Sequence, residues 1–375
     1  MIPQSEMERR WKLLREKMEV TGVDLILATS QENFYYLTGS YHPDLKAIPD
    51  RLAFAGMGRD GNLFAFVSDL EFPLFKTQSP IREARAYVEF QEPPVPTLTN
   101  FLSGKGLSKK KIGFECRHLV HEYALALREG LPEAELTPWD RYFFAARRFK
   151  SPFEIDLLQK AAGATERGIY DAWLSVHPGV SEKEMARELE AQLRKGGADA
   201  VSFVTCASGA RTAVPHAAAS SAPIQRGDLI KVDIGGVFDG YYSDMARSAF
   251  MAEVSPVKKD EYLKVVAAHK AIIEEMSPGV TAAQVFRVGK KIFQNLGVPF
   301  DVPHLGHAIG LTGHEEVLLQ PKDETELRPG MVIAVEQRAK FREERYHIED
   351  LVLIEEDGPR VLTNIDANES VFVIS

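Results

Sequence analysis

Gly227-Asp-Leu-Ile-Lys-Val-Asp233 is answered further along the chain by Gly330-Met-Val-Ile-Ala-Val-Glu336. In each, a turn glycine opens an apolar strand and an acidic residue stands six positions after the glycine. An earlier pair, Val176-His-Pro-Gly-Val180 and Met276-Ser-Pro-Gly-Val280, lies one hundred residues apart, and each member leads into a charged helical stretch. The two offsets agree within three residues. Matching order and spacing predict a duplicated half-domain with pseudo-twofold symmetry. Two related halves would bring the carboxyl ends of their strands together, and with them Asp233 and Glu336.

Upstream of the duplication, Arg147 to Pro152 reads as a boundary. Ser151 suits a helix N-cap, Pro152 the first turn, and Glu154 the third position of a capping box. Ile155, Leu158, Ala162 and Ile169 then recur at helical spacing. The expected division is therefore 1–150 and 151–375. In the first part, Trp11, Leu14 and Met18 mark an amphipathic helix over Glu8 to Val20. Short apolar runs at Asp24 to Ala28, Leu63 to Val67 and Lys111 to Phe114 read as strands, and His118 to Arg128 as a helix. This alternation predicts a smaller α/β domain in front of the larger one. Tyr35, Tyr36, His42 and Asp44 read as a surface turn.

With 375 residues, 45% hydrophobic and 26% charged, the chain can bury a sizeable core. A formal net charge of -9 gives no general attraction to nucleic acid or anionic lipid. Arg147, Arg148 and Lys150 read as solvated boundary charges. The two cysteines, Cys116 and Cys206, are too few for a disulfide scaffold or a thiolate metal cluster. Cys206 lacks a neighbouring base and reads as a buried thiol near a strand end. No apolar run is long enough to span a bilayer, and the polar start lacks a secretory signal, so a cytoplasmic address is expected.

Chemistry concentrates in the larger part. Asp233 ends the apolar run Leu229 to Val232, with Gly235 and Gly236 suited to a tight turn, and Asp244 follows eleven residues on, in Tyr241-Tyr-Ser-Asp-Met-Ala-Arg247. Pro303-His-Leu-Gly-His-Ala-Ile-Gly-Leu-Thr-Gly-His314 holds three histidines in twelve residues, among glycines that disfavour a regular helix. Glu336 ends an apolar run, and Glu349 stands just before Leu351-Val-Leu-Ile354. Buried acids at strand ends need partners, either arginine or a divalent cation. Asp233, Asp244, His307, Glu336 and Glu349 together offer four carboxylates and an imidazole, a donor set for two divalent ions of manganese, cobalt, zinc or iron. His216 and His314 can donate a proton or steady an oxyanion.

In their order, these motifs resemble the pita-bread metallopeptidase family (M24), which includes methionine aminopeptidase, prolidase and aminopeptidase P. Asp-Ile-Gly-Gly followed by Gly-Tyr-Tyr-Ser-Asp-Met-Ala-Arg is similar to the family's first metal strand pair. His307 falls on its metal histidine, and Glu336 and Glu349 match its last two ligands. The likeness covers about 225 residues from Ser151, with a weaker one to the creatinase/prolidase N-terminal domain before it. The resemblance implies a pita-bread catalytic domain that hydrolyses an amide with a metal-bridging hydroxide, and a homodimer acting on short peptides, most closely of the Xaa-Pro class. It further implies that Glu336 takes the water proton, His216 stabilises the intermediate, and His314 serves the leaving nitrogen.

Three positions depart from the family pattern. Gln337-Arg338 follows Glu336 where Pro-Gly is usual, His347 replaces the arginine of Arg-Ile-Glu-Asp, and Ala308 replaces a glycine. Histidine is largely neutral at pH 7, so the substrate end has lost a permanent cation. His347 and Arg338 are the expected substrate contacts, with Arg342 or Arg345 as possible compensation. A hydrolase or lyase acting on a non-peptide metabolite such as an N-acyl amino acid is the alternative, and a metal-free binding protein is the third.

Overall fold

The amphipathic start of the chain forms helix α1 (Gln4–Thr21), with Leu14 and Met18 fully buried. The computed structural model describes residues 2–48, 51–364 and 370–375, which fall into two units, Met1–Arg147 and Arg148–Ser375. In the first unit α1 is followed by β1 (Leu25–Ala28), α2 (Gln31–Thr38), α3 (Asp44–Ala47), β2 (Phe54–Gly58), β3 (Leu63–Ser68), α4 (Phe72–Gln78) and β4 (Ala84–Tyr87). Then come α5 (Pro94–Gly104), β5 (Lys111–Phe114), α6 (His121–Gly130), β6 (Glu135–Pro138) and α7 (Asp140–Arg147). The six strands make one mixed sheet in the order β4-β3-β2-β1-β5-β6. A core including Leu25, Leu27, Phe54, Phe66 and Ile112 packs against its helices.

Tyr35, Tyr36 and His42 do not form a surface turn. All three are buried, and the His42 imidazole bridges Ser40 and Glu71. Arg147 is buried too, its guanidinium donating to the Asn33 side-chain oxygen at 2.8 Å.

The second unit begins with the capped helix. In α8 (Pro152–Ser175) the Ser151 hydroxyl accepts from the Glu154 amide, and the Glu154 carboxylate accepts from the Ser151 amide. There follow α9 (Glu182–Lys195), β7 (Ala200–Ser208), a 3-10 turn at Gly209–Ala213, β8 (Leu229–Phe238), β9 (Tyr241–Tyr242) and β10 (Met245–Met251). The second half runs α10 (Pro256–Glu274), α11 (Ala282–Asn295), β11 (Gly306–Ala308), β12 (Glu315–Leu318), β13 (Val332–Phe341), β14 (Glu344–Glu355), β15 (Gly358–Val361) and β16 (Val373–Ile374).

The duplication is visible in this order. Each half presents two helices, and the second helix of each opens with the same capping box, Ser181 with Glu184 and Thr281 with Gln284. Gly227 and Gly330 both adopt positive φ, 78° and 89°, at the turn into the acid-bearing strand. One sheet has the order β16-β10-β8-β7, with β9 beside β8; the other has the order β12-β11-β13-β14-β15. The sheets meet where β10 faces β14: the Ser248 hydroxyl donates to the His347 carbonyl and accepts from its amide, both at 3.0 Å.

Two expected strand ends are interior positions. β8 continues through Gly235 and Gly236 and turns only at Asp239-Gly240. A Cβ at Gly235 would collide with the Phe203 ring and the Ser243 carbonyl, so this glycine permits close packing rather than a turn. Likewise β13 runs on past Glu336 to Phe341, which its hairpin with β14 supports by pairing Phe341 with Glu344.

Candidate metal centre

Strand pairing assembles the acids. Glu336 and Glu349 lie directly opposite each other on β13 and β14, so both side chains leave the same face. Like charges in that position repel unless something positive lies between them. Asp233 pairs across to Ala246 on β10, which brings Asp244, just before that strand, beside it. His307, opposite Ala334 on β11, joins from the other half.

These residues meet in a cavity of about 520 Å³ that is also lined by Phe203, His216, Tyr242, His304, His314 and Arg338. Ligand-capable atoms lie within 4.8 Å of one another in three overlapping groups: Asp233, Asp244 and Glu349; His307, Glu336 and Glu349; and Asp244, His307 and His314. The His307 Nε2 is 3.6 Å from the Asp244 Oδ2 and 3.9 Å from the Glu349 Oε1. Its ring stacks on that of His314 at 3.5 Å between centroids.

The electrostatics call for a cation. Burial, and then the charges of Asp233 and Glu336, push the Asp244 carboxyl well up; burial and Asp244 do the same to Glu349. Burial also raises Asp233, and its Oδ1 is buried without a hydrogen-bond partner. Glu336 behaves oppositely. Burial acts to raise it, but the hydrogen bond and charge of His347, then Arg338, hold it well below the usual range. Burial, with His314 next, brings His307 down to about 4, leaving the neutral imidazole that ligates metals. Oxygen-rich, crowded and short of positive charge, these donors fit divalent cations.

His347 lies between the halves, its Nε2 donating to the Glu336 Oε2 at 3.0 Å and its Nδ1 3.8 Å from the Asp233 Oδ2. The Arg338 Nε is 3.2 Å from the Glu336 Oε2, and its Nη2 donates to the His304 Nε2 at 3.3 Å. Arg342 and Arg345 do not compensate at the cavity; each is engaged elsewhere, by Glu261 and Asp301. Gln337 is fully buried with its amide donating to the Leu305 carbonyl, on the strand face away from the acids. Of that two-residue departure, Gln337 therefore faces away from the cavity while Arg338 lines it.

The two exposed histidines of the cavity, His216 and His314, ride on tethered loops. His314 precedes Glu315, whose carboxylate accepts from the Leu311 amide and from the Lys150 ammonium. Lys150 is thus a buried partner rather than a solvated boundary charge. His216 follows the 3-10 turn, gripped by Lys231. Lys231 escaped sequence reading and Lys150 was misread, because a lysine in a strand or near a boundary carries no local sign of a long-range partner. His304 was visible within the histidine cluster but had no assigned task. A larger cavity of about 630 Å³ opens in the first unit beside Trp139. Its one carboxylate, Asp140, already accepts from Cys116 and Arg117.

The profile of metallopeptidase family M24 matches residues 156–356, and that of the creatinase/prolidase N-terminal domain matches 10–148. An Xaa-Pro dipeptidase of Pyrococcus horikoshii is 29% identical over 366 residues, covering 96% of this chain and 98% of that protein. Among solved structures, a prolidase from P. horikoshii superposes with a TM-score of 0.83 at 28% identity, covering 95% of this chain and 98% of that one. Dipeptidase PepE from Mycobacterium ulcerans gives 0.86 at 26% identity, covering 100% and 99%. The two-domain architecture is therefore that of a creatinase/prolidase-like domain followed by a pita-bread domain.

Proposed function

Since the chain belongs to metallopeptidase family M24, we propose that it is a dinuclear-metal hydrolase of Xaa-Pro bonds in dipeptides or short peptides. The observation that carries this reading is the convergence of Asp233, Asp244, His307, Glu336 and Glu349 on one cavity that also presents His216, His314 and Arg338. The five converging residues are the assigned metal donors. Divalent ions held there supply Lewis acidity, lowering the pKa of water and polarising an amide carbonyl. The metals proposed are manganese, cobalt, zinc or iron, all compatible with carboxylate and imidazole donors.

The chain's own residues supply the rest. Glu336, kept ionised by His347 and Arg338, takes a proton from the attacking water. The one proton the water loses to Glu336 is the one the leaving nitrogen gains, relayed through His314. His216 steadies the oxyanion, and His314 donates at the leaving nitrogen. In an Xaa-Pro bond that nitrogen is tertiary and must gain a proton to depart, which gives His314 a defined task. Arg338, among the described residues the only lysine or arginine that lines the cavity, receives the substrate carboxylate.

A metal-loaded sample assayed against Xaa-Pro dipeptides, longer Xaa-Pro peptides and N-acyl amino acids tests this reading. Turnover of Xaa-Pro substrates is expected; full metal occupancy with none turned over would overturn it. Arg338→Met is expected to raise KM for a dipeptide about tenfold to a hundredfold, equivalent to about 1.5–3 kcal/mol for hydrogen bonds to a charged group. KM for the same substrate amidated at its C terminus should move far less. A homodimer belongs to the same proposal, supported by the family resemblance, and a light-scattering mass equal to one 41.8 kDa chain would remove it.

A further inference from the structure

Lys231 is 1% exposed on β8, two residues before Asp233 and on the same face of the strand. Its ammonium donates to three backbone carbonyls, those of Thr212 at 3.0 Å, Val214 at 2.7 Å and Pro215 at 3.0 Å. All three of its donors are therefore spent on one loop. Among the described residues it has no carboxylate within ion-pair distance. A buried ammonium with no ion pair is costly even with the Asp233 charge two residues along the strand, and an apolar residue would fill the position at less cost. What the position obtains from lysine is the conformation of the segment it grips.

That segment leads directly to His216. The Pro215 carbonyl belongs to the peptide plane that carries the His216 nitrogen, so the third hydrogen bond orients the backbone immediately before the imidazole. Proline has no amide hydrogen of its own with which to anchor the plane before it. The other end of the loop is tied separately: the buried Glu182 carboxylate accepts from Ser208, Arg211 and Ser220. The Thr212 hydroxyl accepts from the Arg345 amide. Between these anchors His216 is exposed and lines the cavity.

We propose that Lys231 is a positioning residue for His216, so that a single strand places both Asp233 and the oxyanion-stabilising imidazole. The inference rests on the hydrolytic reading above, for which His216 has that task. It predicts that Lys231 acts on turnover through the placement of His216 far more than through the charge it sets near Asp233.

The test is a double-mutant cycle on the metal-loaded protein, with hydrogen exchange beside it. Lys231→Met keeps the buried stem and removes the donors. It is expected to lower kcat about tenfold to a hundredfold, a part of the ~10²–10³ lost when an oxyanion donor is removed, with KM and metal content little changed. In a His216→Ala background the same substitution should change kcat less than about twofold, since non-additivity marks residues that act as one unit. Amide exchange over residues 212–217 should quicken at least about tenfold while β7 and β8 keep their protection. Equal fold-losses in both backgrounds, or unchanged exchange in the loop, would overturn the proposal. Should Lys231→Met fail to fold, Lys231→Arg, which keeps the charge but shifts the donors, is read by the same two criteria. A wild-type enzyme that turns over no substrate overturns the hydrolytic reading instead, and the exchange comparison, which needs no substrate, separates that failure from this one.

Discussion

Asp244→Asn in the metal-loaded protein is expected to lower kcat/KM by about 10³-fold or more, since an activating ion supplies several kcal/mol of transition-state stabilisation and each 1.36 kcal/mol is tenfold. Metal analysis should show the bound stoichiometry falling with it. Stability should move the other way. Asp244 sits among Asp233, Glu336 and Glu349, and burial with their charges pushes its carboxyl well up, so an amide there is neutral without having to bind a proton or a cation. The metal-free variant should therefore melt no lower than the metal-free wild type, while the rise in melting temperature on adding manganese or cobalt shrinks. Scanning calorimetry with and without metal checks both signs. A variant that keeps full metal content and activity would remove Asp244 from the ligand set.

Arg247→Met carries the largest expected effect on stability. The guanidinium is 1% exposed, and its Nη2 pairs with Glu166 at 2.8 Å and with Asp350 at 2.7 Å. The other oxygen of Asp350 accepts from the His269 Nε2 at 2.8 Å. Removing the cation leaves two carboxylates buried without their charge partner, a change that costs about 3–5 kcal/mol. For a unit of this size, about 2–4 °C per kcal/mol translates this into a fall of roughly 6–20 °C in Tm. Arg247 also donates to the Glu349 carbonyl, so the loss reaches a proposed metal donor through its backbone. Denaturant unfolding of Arg247→Met, Asp350→Asn and the double variant measures the coupling. The double variant should be less destabilised than the sum of the single ones, because each partner's cost arises from the other's charge.

Much of the fold was readable because the information is local. The Ser151 cap with Glu154, the apolar face of α1 and the strand at Lys111–Phe114 depend on residues within a few positions of each other. The duplication was readable for a different reason: a repeat shows in one chain without knowledge of its contacts, and the matched caps at Ser181 and Thr281 follow from it. Where local reading failed, a distant partner had decided. Gly235 sits within a strand because Phe203 and the Ser243 carbonyl occupy the space a side chain would need. His42, read as a surface residue, is buried against Glu71, and Lys150 against Glu315, across 29 and 165 positions of sequence.

By itself the sequence determined the kinds and order of the candidate donors and the two-part architecture, since acid and histidine motifs and periodic apolar patterns are properties of residue type and spacing. Tertiary structure alone decided which of the departing positions face the cavity. Strand pairing turned Gln337 into the core and His347 between Asp233 and Glu336, and it left Arg338 as the cavity's cation while Arg342 and Arg345 pair elsewhere. The physical reason is the two-residue period of a strand: neighbouring positions leave opposite faces, and which face meets the cavity is set by register against partners remote in sequence.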